Sequence, residues 1–288
     1  MSKLVVRLLL GVVFALFGLV NYCSSVTENP ITGESQRVAL TPQQEIVLGQ
    51  QGRKDVVSEF GGLYPSESLQ SYIDEVGQSV VQQSEASESP YPFEFHVLDA
   101  PDTVNALALP GGQVFITSGL LSRLDSEAQL AGVLGHEVGH VVARHGAEQL
   151  ARRQLGATLV GAIGVAASGD DAQSARQAAL IAQAVNQLIN LNYSRNDEIE
   201  SDRLGFQFMT EADYSPQGLV ELMQVLSQAG ESGGRPPEFL STHPYPDNRI
   251  ARLEEQIEDE YPNGIPPELD EGQQDFAQAM PPQFQSQN

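Results

Sequence analysis

Leu69, Ile73, Val76 and Val80 recur at intervals of three and four, the spacing that gathers apolar side chains on one helical face, and predict a helix over Ser66–Ser84. The period then falls to two. "YPFEFHVLDA" alternates as a strand does, and "NALALPGGQVFITSGLL" holds two short apolar runs around Pro110-Gly111-Gly112, the signature of a hairpin. Upstream, Thr41-Pro42 with Gln44 forms a capping box with proline in the first turn, which predicts a helix running to about Phe60 and stopped by Gly61-Gly62. Ser126 and Gln129 open another helix in the same way, and that helix carries "AGVLGHEVGHVVARHG". The segment Leu155–Gly169 is rich in glycine and alanine, uncharged and too short to span a bilayer, and reads as a buried or lid-like helix. Further helices are expected over Asp171–Asn192, through "NDEIESDRLGFQFMTEA", and from Ser215-Pro216 to near Gly230. No fixed-period repeat is visible, which excludes a solenoid of helical repeats. The pattern is α+β, mostly helical, with a small sheet or hairpin ahead of the histidine-bearing helix.

The ends read differently from the middle. Lys3 and Arg7 precede an apolar run from Leu8 to Val20, short for a membrane span and right for the core of a secretory signal. Export follows from that reading, with the chain periplasmic or anchored to a membrane and facing the periplasm. Residues 1–23 are therefore a signal peptide or N-terminal anchor. Residues 24–40, polar and carrying Pro30 and Gly33, read as an extended linker, residues 41–261 as the folded domain, and residues 262–288, rich in Pro and Gln, as a disordered tail. Cys23 is the only cysteine, so no intrachain disulfide forms. Its place just after the apolar core makes it a lipidation candidate, although Tyr22 stands where lipoprotein signals carry a small residue. Cleavage nearby and an uncleaved anchor are the rival readings.

Charge narrows the partners. Fifteen Lys and Arg against 38 Asp and Glu give a net charge of −23, which argues against nucleic acid or an anionic lipid surface as the main partner.

The chemistry concentrates in "HEVGH". His136 and His140 are four apart, so a helix points both imidazoles the same way, as two ligands of one tetrahedral zinc require. Glu137 projects about a third of a turn away, where it reaches a metal-bound water without being a ligand, the general-base position of H-E-x-x-H hydrolases. Gly135 and Gly139 flank the pair, and a close neighbour at Gly139 would explain a residue that helix interiors disfavour. His145 falls off the ligand face and reads as structural. A hydrolytic site needs a third protein ligand, and "NYSRNDEIESDRLGFQF" offers Glu198, Glu200 and Asp202. Glu198 and Asp202 share a helical face, one to bind metal and the other to hold the far nitrogen of a ligand histidine, while Glu200 should point elsewhere.

Together "NALALPGGQVFITSGLL", "LGHEVGHVVARH", "YSRNDEIESD" and "STHPYPDNR" resemble the M48 family of zinc metallopeptidases, from "ENPITGESQRVALTPQQEIVLGQQ" to "THPYPDNRIARLEE". The resemblance implies a gluzincin-like zincin fold and one Zn²⁺ per chain. It implies His136, His140 and Glu198 as ligands, Glu137 as catalytic base, and Asp202 as the Asp of the family's E-x-x-x-D pattern. The bacterial periplasmic members it most resembles degrade misfolded outer-membrane proteins, so unfolded or misfolded proteins are the expected substrates. Some of those members carry a C-terminal tetratricopeptide domain, for which this chain ends too soon. The multiple spans of members that process prenylated peptides are missing too. His243, in "STHPYPDNR", is a candidate fourth zinc ligand that holds the enzyme latent, or an oxyanion donor. Arg249 is a candidate for the oxyanion role or for pairing with a carboxylate. Gln113, Val114, Phe115, Ile116 and Thr117 are expected to form an exposed edge strand with which an extended substrate pairs through its main chain. The competing reading is a zinc-stabilised, chaperone-like scaffold that binds misfolded proteins without cutting them, and Glu137 discriminates, because a scaffold needs the ligands and not the base.

Overall fold

A computed structural model of the protein describes residues 12, 13, 16, 18–20, 22–153, 192–231, 237–243 and 248–285. The expected helices over Leu155–Gly169 and Asp171–Asn192 therefore lie outside the described residues, apart from Asn192 itself.

Helix α1 (Pro42–Glu59) starts on the capping box at Thr41, whose hydroxyl accepts from the Gln44 N–H while the Gln44 side chain accepts from the Thr41 N–H. Helix α2 (Glu67–Gln82) is capped by Ser66 and buries Leu69, Ile73, Val76 and Val80, the face its periodicity marks. Strands β3 (Glu94–Leu98), β4 (Ala106–Leu109) and β5 (Gln113–Thr117) follow an N-terminal pair, β1 (Val26–Glu28) and β2 (Ser35–Arg37). After the single turn α3 (Ser118–Leu121) comes α4 (Glu127–Val142), capped by Ser126, and later α5 (Arg195–Glu211), with a capping box between Ser194 and Asp197. The chain continues through α6 (Gln217–Glu231), α7 (Glu238–Thr242) and α8 (Arg249–Glu260) to α9 (Gln273–Ala279) and α10 (Pro282–Gln285).

Helix α4 is the axis of the molecule. Every residue from Ala128 to Val142 is buried, and α2, α5, α6 and β4 pack around it. A helix buried on all sides is stable only inside a core, which the helices and sheet around it provide.

Three expectations are overturned. The sheet order is β3-β5-β4, with β5 parallel to β3 and antiparallel to β4, so Gln113–Thr117 is the central strand and not an exposed edge. All five of its residues are buried, and its main-chain groups are taken up by two neighbours. A hairpin signal fixes the β4–β5 pairing but says nothing about β3 joining the far side of β5. Residues 24–40 are not an extended linker: β1 and β2 pair antiparallel, and buried Asn29 and Gln36 donate to the Val142 and Ala143 carbonyls at the end of α4. Nor are residues 262–285 disordered. Phe276, Met280 and Phe284, four residues apart, bury themselves in the main core, and the Ala128 N–H at the start of α4 donates to the Glu271 carbonyl. Proline and glutamine dominate that segment's composition, but three well-spaced apolar side chains decide its fate.

Among the described residues no helix is long and apolar enough to cross a membrane. Val12, Val13, Leu16, Leu19 and Val20 are exposed, as is Cys23.

Candidate metal centre

Two helices meet backbone to backbone to form the site. A Cβ at Gly139 would come within 3.1 Å of the Ser201 carbonyl oxygen, and one at Gly205 within 2.9 Å of the His136 nitrogen. Glycines on both helices thus let α4 and α5 approach closely enough for their side chains to converge. The glycine at 139 has the close neighbour its position called for.

His136, His140, Glu198 and His243 each direct one donor atom into a common space, all within 4.8 Å of one another and all buried. His136 Nε2 lies 3.1 Å from His140 Nε2 and 3.6 Å from Glu198 Oε2, and His140 Nε2 lies 3.4 Å from Glu198 Oε1. His243 brings its Nδ1 to 3.4 Å from His136 Nε2 and 3.1 Å from Glu198 Oε1. Ligand atoms about 2.05 Å from a tetrahedral zinc are separated by about 3.3 Å, so this donor set has the size zinc requires. Two imidazole nitrogens facing each other at 3.1 Å, with a carboxylate beside them, are the arrangement a cation between them resolves. Glu137 adds a fully buried carboxylate whose two oxygens accept no hydrogen bond among the described residues, with His243 Nε2 3.5 Å away. The residues fit the ion.

The outer partners hold these groups in place. His136 Nδ1 lies 3.0 Å from Asp202 Oδ1, so of the two carboxylates on one face of α5 Glu198 joins the donor cluster and Asp202 stands against the far nitrogen of His136. Buried Arg249, from the start of α8, donates from Nε to Asp202 Oδ2 at 2.6 Å and from Nη1 to Glu198 Oε2 at 2.9 Å, and its Nη2 pairs with Asp202 Oδ1. Of the two roles open to Arg249, the structure brings together the carboxylate pairing. Two aromatic rings complete the wall. Tyr193 stacks on His140 with centroids 3.8 Å apart, and Phe239 stacks on His243 at 4.3 Å. Neither was singled out in the sequence, although Tyr193 lies within the "NYSRNDEIESD" stretch.

Burial sets the electrostatics. It raises the pKa of Glu137, with His243 and His136 pulling the other way, and holds the His140 pKa well below the ordinary histidine value. Burial also works to raise Glu198, but His243 and His140 outweigh it and keep that carboxyl well below the usual range. Asp202 follows the same logic: against desolvation, Arg249 and His136 bring its pKa down. Burial pushes His243 down, yet Glu198 and Glu137 together raise it.

His145 does not simply fall away from the cluster. Helix α4 ends at Val142, and Arg144 adopts the left-handed conformation, φ 57°, so the chain turns back before residues 145–153 resume a helix. Buried His145 thereby places its Nδ1 3.0 Å from His140 Nδ1 and its Nε2 3.1 Å from Glu200 Oε2. It stays outside the ligand cluster, as its position off the ligand face implies, and the interrupted helix brings it against His140 from the far side. Cys23 and Gln113–Thr117 contribute nothing to the ligand cluster.

An H-E-x-x-H pair on a buried helix, a glutamate from a second helix and a small flanking sheet define a mostly helical, zincin-like metallopeptidase domain. Residues 67–257 match the model of peptidase family M48, and the chain belongs to that family. It is 32% identical over 236 residues to the beta-barrel assembly-enhancing protease of Escherichia coli (strain K12), covering 80% of this chain and 47% of that protein. It is also 32% identical over 246 residues to the mitochondrial metalloendopeptidase OMA1 of Schizosaccharomyces pombe, covering 83% of this chain and 69% of that protein. A Vibrio cholerae protein named as a putative beta-barrel assembly-enhancing protease is 31% identical over 248 residues, 84% of this chain and 50% of its own length. The chain thus spans about half the length of the bacterial relatives it matches.

Proposed function

We propose that this protein is an exported, zinc-dependent endopeptidase that cleaves misfolded or unassembled proteins of the cell envelope, holding one zinc ion on His136, His140 and Glu198. The observation that carries the reading is Glu137: a fully buried carboxylate that has no hydrogen-bond partner among the described residues, beside four convergent donors, is costly to a fold that does not use it. Bound zinc supplies Lewis acidity toward water and a peptide carbonyl. Glu137 takes the proton of the attacking water on a carboxylate oxygen and returns it to the departing amine, and a pKa raised by burial suits a group that both accepts and gives. Asp202 and Arg249 keep His136 and Glu198 oriented throughout.

His243 acts as a latch. With Nδ1 among the ligand atoms and Nε2 toward Glu137, it occupies the corner that water and substrate need, so turnover requires it to withdraw. An extended substrate pairs with β4, the outer strand of the sheet beside α4. The Lys3–Val20 pattern and exposed Val12, Val13, Leu16, Leu19 and Val20 support export and membrane association, with Cys23 a candidate for lipid attachment beside cleavage and an uncleaved anchor. The names of the bacterial relatives support an envelope substrate.

Casein cleavage by zinc-loaded wild type and Glu137→Gln tests the reading. Cleavage lost in the variant with zinc retained is the expected result, and zinc bound without cleavage by wild type would favour the scaffold. Mass spectrometry of the mature N-terminus decides the state of Cys23.

A further inference from the structure

The two ligand histidines are supported differently. His136 has a carboxylate directly against its far nitrogen, Asp202 Oδ1 at 3.0 Å from Nδ1. Among the described residues His140 has none; the atom at its Nδ1 is the ring nitrogen of His145, 3.0 Å away. Beyond that ring stands Glu200, the third acidic residue of α5, with Oε2 3.1 Å from His145 Nε2.

We propose that His145 and Glu200 are positioning residues that fix the orientation and tautomer of His140 through a chain of hydrogen bonds, carboxylate to imidazole to imidazole. The inference rests on the metallopeptidase reading, in which His140 offers Nε2 to the metal. An imidazole that gives its Nε2 lone pair to a cation carries its hydrogen on Nδ1. The His140 Nδ1–H therefore donates to His145 Nδ1, which leaves the hydrogen of His145 on Nε2, where it donates to Glu200. Each link determines the next. Ser201 Oγ also reaches His145 Nδ1, at 3.3 Å, but a ring nitrogen has a single in-plane lone pair and His140 is the nearer partner. The rings meet edge to face, with centroids 5.0 Å apart and planes at 72°.

The inserted ring solves a problem of helical geometry. Glu198 and Asp202 share a face of α5, and Glu200, between them, points away from the metal. His145 spans that gap and brings a carboxylate to bear on the second histidine. It can do so because Arg144 takes the left-handed turn, its Nε donating to Glu45 Oε1 at 3.0 Å and its Nη2 to the Leu40 carbonyl at 2.7 Å. Buried Glu45, on α1, thus holds the turn that delivers His145.

The test uses the full chain loaded with zinc. Nitrogen-15 NMR of labelled histidines is expected to place hydrogens on His140 Nδ1 and His145 Nε2; a hydrogen on His145 Nδ1 would overturn the proposal. Zinc release to a chelator is then compared for wild type, His145→Leu, His145→Asn and Glu200→Ala. Outer partners of metal-bound histidines are typically worth about 10- to 100-fold in metal affinity. His145→Leu is therefore expected to release zinc at least about tenfold faster, and His145→Asn, which keeps an acceptor oxygen near the Nδ1 position, to recover most of that loss. A leucine variant that releases zinc at the wild-type rate refutes the chain, as does an asparagine variant no better than leucine. If His145→Leu does not fold, the wild-type spectrum and the release rate of Glu200→Ala decide. Should wild type bind no zinc, the metallopeptidase reading fails and this proposal with it; wild-type binding with no response to any variant sinks this proposal alone.

Discussion

Glu137 and Asp202 are both buried carboxyls, and their environments give them opposite pH signatures. The Glu137 pKa is raised, first by burial, so its contribution to the stability of the metal-free fold is present below the unfolded value of 4.5 and lost as pH rises through the folded value. Replacing it with an amide removes that loss: metal-free Glu137→Gln should melt higher than wild type at pH 7, by about 1 kcal/mol or more, with the gap widening as pH increases. Asp202 works the other way. Although burial opposes it, Arg249 and His136 lower its pKa, so its stabilisation is present above the unfolded value of 3.8 and lost as pH falls through the folded value beneath it. Asp202→Asn leaves Arg249 short of a partner and should cost about 3–5 kcal/mol at pH 7, with the deficit shrinking below pH about 4; denaturant melts across that range measure it. His243→Ala should speed peptide turnover and hasten zinc loss, read by a fluorogenic peptide and a chelator; unchanged activity and affinity would remove the latch. At this scale the sequence was informative because four- and three-residue spacings on a helix are geometric facts, which is how His136, Glu137, His140, Glu198 and Asp202 became candidates. His145 lies outside the ligand cluster, as its position implied, but its contact with His140 was not legible, because one left-handed residue, Arg144, cannot be seen in a periodicity.

Among the elements, α4 and α5 matter most, and their contact is set by residues without side chains. A Cβ at Gly205 meets backbone, 2.9 Å from the His136 nitrogen and 3.1 Å from its Cα, where no side-chain rotation relieves it. Gly205→Ala should therefore push His136 away from Glu198, at a cost of about 1–3 kcal/mol and with weaker zinc binding; isothermal titration together with a thermal melt would separate the two effects. Capping residues announced the helix starts at Thr41, Ser66 and Ser126 because the signal is local. Strand order was not legible for the complementary reason. β5 joins β3 across a connection that no turn residue encodes, so the strand that looked like an edge proved to be the centre.

Across the whole molecule, both ends of the described chain lean on α4. The C-terminal segment inserts Phe276 into the main core, and Phe276→Ala should cost about 3–5 kcal/mol, measured by urea unfolding, whereas a disordered tail would make it silent. Composition hid this, since bulk Pro and Gln content averages away three apolar side chains that meet the core together. The N-terminal hairpin attaches two residues beyond His140, through Asn29 and Gln36 to the last carbonyls of α4. Its order of attachment has a mechanical consequence. A pull on the chain ahead of Ser25 passes through the Val38–Ser25 main-chain bond and the β1–β2 pairs into β2, where buried Gln36 donates to the Ala143 carbonyl at the end of α4. The hairpin thus couples the chain ahead of Ser25 to the helix that carries His136 and His140, with Gln36 taking the load before Asn29 does.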